Sequence, residues 1–470
     1  MKNIMNNQLF LSTLLLFPTA CQAEDTKTSG KNHQQTPNII YIMADDLGIG
    51  DLGCYGQQQI KTPFIDELAR NGMTFMRHYS ASSISAPSRC SLMTGKHTGH
   101  SAIRGNKTVI LADGEKYDTP LPDEEITVAE LLKQKNYKTA CIGKWGMGGP
   151  ESEGHPNRHG FDYFYGYLGQ GHAHSYYPSF LFENNQKIML NKTQYSHNLI
   201  IEKALDFIDK NAEQPFFLYL SPTIPHAELA VPEENLKEYD GKFLETPFKG
   251  GHYCAQPKPR AAYAAMVTLL DKNVEQIMDL LKKKGISENT IIIFTSDNGV
   301  HQEGGHDPKF FNSNAGLRGI KRDFYEGGIR TPFIVRWPGV IAPGSQNEHV
   351  SAFWDFLPTV CDITGIPCPH NIDGISYLPT LKGMDQPKHD YLYFEFYEKK
   401  GTQAILQNDW KLLRLQINAP KKTHYELYNL SEDPKEQYNV AKQYPDRVEH
   451  LRKLMDKAHT KNPIFKYNFE

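Results

Sequence analysis

The chain has 470 residues, 39% of them hydrophobic, and a formal net charge of -3. That length supports a large core and predicts one big domain joined to a smaller one, while the near-balanced charge excludes a nucleic-acid-binding footprint. The one short basic run, "LKKKG" at 281–285, reads as a solvated helix end.

The first residues read as an export signal. "LFLSTLLLF" at 9–17 is apolar but too short to cross a membrane, and the residues after it are small and then polar. Residues 1–23 are expected to be a signal peptide or lipoprotein signal, and 24–36 a flexible tether. Two routes stand open: cleavage after Ala20 or Ala23, or lipid attachment at Cys21, where "CQAED" resembles the acidic sorting tag of Gram-negative surface lipoproteins. The expected location is exported, either periplasmic or as an outer-membrane lipoprotein that touches the membrane only through a lipid on Cys21. The other six cysteines lack metal-type spacing, and only Cys361 and Cys368 lie close enough in sequence to suggest a local disulfide.

From Pro37 the pattern alternates. "NIIYIMADD" predicts a buried strand, "TPFIDELARNG" a helix closed by Gly72, and "SAPSRCSLMTG" a helix with Pro87 in its first turn and Gly95 at its end. "TVAELLKQKNY" predicts a helix feeding the strand "KTACIGKW"; "HNLIIEKALDFIDKN" is helical, "PFFLYLSPT" a strand, 259–284 a long helix and "TIIIFTSDNG" another strand. Apolar strands bounded by amphipathic helices indicate an α/β domain over 37–384, with a central, mostly parallel sheet flanked by helices. Beyond 385, "YLYFEFYE", "TQAILQ", "WKLLRLQ" and "HYELYNL" predict a small antiparallel sheet, and "PDRVEHLRKLMDKAHT" one covering helix, so 385–470 reads as an α+β subdomain.

In open α/β sheets ligands bind beyond the carboxyl ends of the strands. Read there, one strand ends in Asp45-Asp46, another in Lys144, another leads to His226, and a fourth ends in Asp297-Asn298. Each acid pair alone reads as a helix or turn cap. Together they make four hard oxygen donors, which suit Ca²⁺ or Mg²⁺ rather than zinc. Lys144 and Lys321 alone would be surface lysines. Lys321, however, lies in "LRGIKRDFYEGGIRTP", a stretch without helical or strand period, as a ligand-shaped loop requires. A metal, two lysines and Arg89 around the Ser85 hydroxyl would form a cationic cup suited to sulfate or phosphate.

Here the chain resembles a family. "SAPSRCSLMTG" is similar to the sulfatase signature, and "ADD", "GKWG", "PHAE", "SDNG", "GIKRDFYEGGIRTP" and "ELYNLSEDPKE" extend the resemblance over nearly the whole mature chain. It implies an alkaline-phosphatase-like fold and a sulfuric ester hydrolase. Ser85 would be oxidised to formylglycine by a serine-type sulfatase-maturating enzyme and would ligate one Ca²⁺ together with Asp45, Asp46, Asp297 and Asn298. Arg89 would hold the formylglycine, Lys144 and Lys321 would bind sulfate, and His226 would serve the leaving oxygen. One position departs from the pattern: many sulfatases carry His two residues after the lysine, and here it is Gly146. His172 and His174, in "GQGHAHSYYP", are the candidates to compensate, with His174 a candidate catalytic residue. His172, His174, His301 and Asn312 are the candidate substrate contacts. The expected substrate is sulfated carbohydrate, by analogy with bacterial arylsulfatase-like enzymes that act on galactose or N-acetylgalactosamine, including removers of 4-O-sulfate. Two other readings keep most of these residues: a phosphatase or phosphodiesterase of the same superfamily, and a non-catalytic sulfated-glycan-binding protein.

Overall fold

The fold comes from a computed structural model that describes residues 36–111, 114–468 and 470. The signal segment, Cys21 and all but the last residue of the tether lie outside these residues. No helix among the described residues is long and apolar enough to cross a membrane.

A ten-stranded mixed sheet organises the chain. Its strands are β1 (Asn38–Ala44), β2 (Met73–Phe75), β3 (Lys138–Lys144), β4 (Tyr163–Tyr167), β5 (Phe180–Glu183), β6 (Gln186–Met189), β7 (Phe216–Ser221), β8 (Thr290–Ser296), β9 (Phe333–Arg336) and β10 (Ser345–Asn347). In space the order is β10-β2-β9-β8-β1-β7-β3-β4-β5-β6. The middle run from β8 to β4 is parallel throughout, whereas β9 and β5 join it antiparallel on either side. The sequence predicts the parallel centre. The antiparallel flanks are short strands without long apolar runs, which periodicity does not single out.

The seven residues of β1 are all buried because helices cover both faces. Ile40, Ile42 and Ala44 face α1 (Pro63–Arg70), α4 (Ser196–Asn211) and α5 (Pro259–Lys284). Ile39, Tyr41 and Met43 face α2 (Ser85–Thr94), α3 (Val128–Lys133) and α6 (Phe356–Thr364). Strand periodicity of two sends alternate residues to opposite cores, so a continuous apolar run is what a doubly covered strand needs. Ser85 is the first residue of α2, and Gly95 closes that helix at φ 70°, where a side chain would be strained. Helix α3 is shorter than its sequence pattern; Thr127 and Glu130 cap its start reciprocally and it ends at Lys133.

The tail forms β11 (Leu392–Phe396), β12 (Thr402–Gln407), β13 (Trp410–Leu415) and β14 (His424–Asn429), an antiparallel meander. One face packs on α7 (Pro445–Ala458) through Tyr393, Ile405, Leu412 and Leu427 against Leu451 and Met455. The other face, with Leu392, Phe394, Leu406 and Leu413, joins the same core as α2 and α6. Cys361 and Cys368 are free thiols rather than a disulfide, although they lie close together, the Cys361 thiol donating to Cys368.

A buried ion triad couples the tail to the loop that carries Lys321. Lys411 of β13 reaches Glu326 at 2.9 Å and Glu436 at 3.0 Å, and Tyr79 also donates to Glu326 at 2.9 Å. All three charged groups are essentially inaccessible to water, and Glu326 lies five residues after Lys321. Removing the lysine would leave Glu436 with no cation beside it and Glu326 with only Tyr79 and the more distant Arg330, which costs about 3–5 kcal/mol. Lys411→Met should therefore lower the unfolding free energy by that order and shift the urea midpoint down, read by urea titration followed by tryptophan fluorescence; an unchanged midpoint would show that the triad does not hold the tail in place.

Candidate active site

Strand register builds the site. β1 and β8 run parallel with Ala44 opposite Ser296, so Asp45-Asp46 and Asp297-Asn298 leave the sheet side by side. Asp46 turns the chain at φ 60°, a left-handed conformation that aspartate tolerates better than bulkier residues. Its N–H donates to Asp297 Oδ1 at 3.0 Å, and Asn298 Nδ2 donates to Asp46 Oδ1 at 2.7 Å. β3, two strands from β1, ends on Lys144, and α2 starts on Ser85 with Arg89 one turn later on the same face.

These elements converge on one hydroxyl. Ser85 Oγ donates to Asp45 Oδ1 at 3.2 Å and accepts from Lys144 Nζ at 3.2 Å, and Lys144 also donates to Asp45 Oδ2 at 2.7 Å. Arg89, with no exposed surface, donates to Asp297 Oδ2 at 2.8 Å and to the Lys144 carbonyl at 2.8 Å. Burial and the neighbouring Asp45 raise the Asp297 carboxyl above its usual value, against the pull of Arg89 and Lys144. Lys321 enters from the opposite side: its backbone N–H donates to Val300, and its ammonium donates to Asp46 Oδ2 at 2.7 Å and meets His226 Nε2 at 2.8 Å.

Imidazoles line the rim. His226 is sandwiched between His174, stacked at 5.0 Å, and His301, stacked at 5.5 Å. Its Nδ1 donates to the Ala227 carbonyl, which leaves the Nε2 lone pair for Lys321. Burial, then the positive charges of Lys321 and Lys144, hold His226 neutral well below its ordinary pKa, and the same causes push His174 down to about 3. His301 donates from Nε2 to the Pro225 carbonyl and accepts the Glu303 N–H on Nδ1, so it orients the rim loop. His174 meets His252 at 3.2 Å.

Two of the sequence candidates fall elsewhere. Asn312 is exposed in a tight turn at φ 52°, its carbonyl accepting from Ala315 and its N–H donating to Lys309, so it is not a rim residue. His172 packs on Phe180 at 4.3 Å and on Tyr167 at 4.9 Å, facing a separate cavity. Among the described residues, neither His172 nor His174 hydrogen-bonds Ser85, so neither takes the place of the side chain absent at Gly146. The space beside Gly146 is filled by Gln170.

Comparison with known proteins agrees with this geometry. Residues 37–366 match the sulfatase family model, and residues 319–461 match the C-terminal model of N-sulphoglucosamine sulphohydrolase. The chain belongs to the sulfatase family. An N-acetylgalactosamine-6-O-sulfatase of Bacteroides thetaiotaomicron is 30% identical over 98% of this chain and 100% of its own length. The N-acetylgalactosamine-6-sulfatase of Mus musculus is 33% identical over 75% of this chain and 68% of its own. The solved structure of Ps i-CgsB in complex with k-i-k-neocarrahexaose superposes with a TM-score of 0.78 at 30% identity, covering 92% of this chain and 95% of that one.

As a sulfatase, the chain is a sulfuric ester hydrolase, and its buried acids form a seat for a cation. Asn298 is wholly buried, with both hydrogens of Nδ2 donated to Asp46 and the Gly299 carbonyl, yet its Oδ1 accepts from no donor. An orphaned carbonyl oxygen beside three carboxylates fits a hard divalent ion.

Sequence reasoning missed Glu303, Arg322, Tyr253 and His252. Glu303 accepts from Lys321 at 3.2 Å and from Tyr253 at 2.8 Å, and also pairs with Arg322. Burial alone would raise the Glu303 carboxyl, but Lys321 and Arg322 outweigh it and hold it well below its usual range. Glu303, two residues past His301, and Arg322, beside Lys321, were legible as neighbours of candidates; His252 and Tyr253 come from an irregular loop with no pattern. Removing one preorganised cationic donor should cost about 10²–10³ in turnover. Lys144→Ala and Lys321→Ala should each lose sulfate release by that factor while keeping the wild-type circular dichroism; near-normal turnover in either would remove that lysine from the anion cup.

Proposed function

We propose that this sulfatase is exported and removes O-sulfate from galactose or N-acetylgalactosamine units of host or algal glycans, using a formylglycine made from Ser85 and one calcium ion. The observation that carries the reading is the buried Ser85 hydroxyl, bonded to both Asp45 and Lys144 within a ring of Arg89, Lys321 and His226. The 6-O-sulfatase relative, matched over its full length, makes N-acetylgalactosamine 6-sulfate the first ester to test, ahead of the 4-O-sulfate suggested by motif analogy. The relative solved with a neocarrahexaose supports a glycan substrate.

Asp45, Asp46, Asp297, Asn298 and modified Ser85 would hold the calcium ion, which when bound adds positive charge that favours the sulfate group and an ionised nucleophile. Formylglycine at position 85, once hydrated, would supply two hydroxyls on one carbon, one to take up the sulfate group and one whose ionisation would release it as the aldehyde is restored. The polypeptide does the rest. Lys144 holds the nucleophile and Asp45 together, and Arg89 fixes Asp297 and the end of β3. Lys321 donates to the Nε2 lone pair of neutral His226 over 2.8 Å, and we assign this pair to protonating the departing oxygen. Ser85, rather than Cys, calls for a serine-type maturating enzyme, and the leader carries the chain to the periplasm or, lipidated at Cys21, to the outer membrane.

Two experiments test this. In protein from its native host, the tryptic peptide containing Ser85 should be lighter than its sequence mass by two hydrogens; an unaltered mass ends the formylglycine reading. His226→Gln should lower sulfate release from a sugar ester by about 10²–10⁴-fold, but should cost far less on an aryl sulfate whose phenolate leaves without a proton. Equal losses on both esters would remove His226 from leaving-group protonation, and release of phosphate but not sulfate from model esters would overturn the substrate class.

A further inference from the structure

A carboxylate stands on the rim of a site built for an anion. Glu303 Oε2 lies 3.2 Å from Lys321 Nζ and 3.6 Å from His226 Nε2, the two groups assigned above to the sulfate ester and its departing oxygen. Tyr253 donates to the same oxygen at 2.8 Å, and Arg322 donates to Oε1. The Glu303 side chain is 19% exposed, so it sits at the mouth of the cup rather than in the core. A fixed negative charge there opposes the entry of any anion, and it acts through space without contact.

The charge balance of the cup does not call for it. Lys321 already has Asp46 at 2.7 Å, and Arg89 and Lys144 answer Asp297 and Asp45 in the same way. The Arg322 side chain is 36% exposed, so water can solvate its charge. Glu303 is nevertheless held by three donors. Burial opposes its ionisation, yet Lys321 and Arg322 keep the carboxyl charged, well below its ordinary range. Arg322 itself stands at φ 77°, in the left-handed region that residues other than glycine rarely adopt, with its N–H tied to the Ser83 carbonyl. A strained residue beside the anion-binding lysine points to a charge that is placed on purpose.

We propose that Glu303 is a charge filter, which lets the cup take an ester with one negative charge and turns away an ester of the same shape with two. A sulfate ester carries a single charge, whereas a phosphate monoester is doubly charged above its second pKa of about 6. The two groups share a tetrahedral outline, so a fixed repulsive charge can separate them where shape cannot. Arg322 sets the strength of the filter by screening the carboxylate. Glu303 is a specificity residue here and needs no contact with the sulfur. The proposal rests on the sulfatase chemistry at Ser85 and not on the identity of the sugar.

The test keeps the central atom and the aryl group fixed and varies only the charge. Phenyl phosphate, a dianion at pH about 8, and phenyl methylphosphonate, a monoanion, are titrated as competitive inhibitors of p-nitrophenyl sulfate hydrolysis by the matured holoenzyme. For Glu303→Gln the ratio of inhibition constants, dianion over monoanion, should fall about tenfold, as expected when one unit-charge repulsion is lost across a partly wet rim. Arg322→Gln should move the same ratio the other way, because Glu303 then acts unscreened. A carboxylate that only positions Lys321 would instead weaken both inhibitors alike. Equal shifts for the two inhibitors, an unchanged ratio, or a ratio moved in one direction by both variants would overturn the filter and leave the sulfatase reading standing. A wild type that releases no sulfate from the aryl ester would overturn the chemistry at Ser85 and the filter with it.

Discussion

Three carboxylates buried beside one another are the constraint on which the rest of the site depends. The register of β1 with β8 brings Asp45, Asp46 and Asp297 to one spot where water cannot screen them. Like charges in so little solvent repel strongly, and each must be answered by a cation held in place. Arg89 answers Asp297, Lys144 answers Asp45 and Lys321 answers Asp46, each at 2.7–2.8 Å. Each cation comes from a different part of the chain: the first turns of α2, the end of β3, and the loop after β8. The acids thus dictate where a helix must begin and a strand must end.

That arrangement explains why the surroundings are so rigid. A donor that stabilises a transferring sulfate is effective only if it does not reorganise during the reaction. Lys321 is the least secure of the three cations, since it rides on a loop without regular hydrogen bonding. The loop is tethered at both ends: Lys321 and Arg322 donate their backbone N–H groups to Val300 and Ser83, and five residues on Glu326 is locked by Lys411 and Tyr79. The C-terminal meander therefore works as a brace for one wall of the anion cup. Its inner face shares the core of α2, the helix that carries Ser85 and Arg89, so the brace reaches two cup elements at once.

Much of this is legible in the sequence. Runs such as "NIIYIMA" and "TIIIFTS" are apolar on both faces, which only a strand covered on both sides accommodates, and the polar residues after them had to lie at one edge of the sheet. Ser85, Arg89, Lys144, His226 and Lys321 emerge from that logic and from the resemblance of their motifs. What stayed hidden lies in irregular backbone or across space. Asn312 sits in a segment rich in polar residues yet turns outward, because the tight turn at 312–315 satisfies its own backbone. Tyr253 and Glu303 meet from segments fifty residues apart with no period to link them. The partner of Gly146 could not be read either: a missing side chain leaves no mark on the sequence elsewhere, and Gln170 lies on a different strand-to-turn connection.

The Gly146–Gln170 pair lies at the edge of this charge network. Groups that face sulfate are bound into the carboxylate network, so changing one would disturb the charge balance of all. Position 146 lies just outside that network, where β3 has ended and its chain no longer answers a buried acid. A side chain can be lost there without stranding a charge, and the vacated volume can be taken by a neutral amide from the next connection. The boundary of the cup is thus electrostatic: it falls where Asp45, Asp46 and Asp297 have each found a cation.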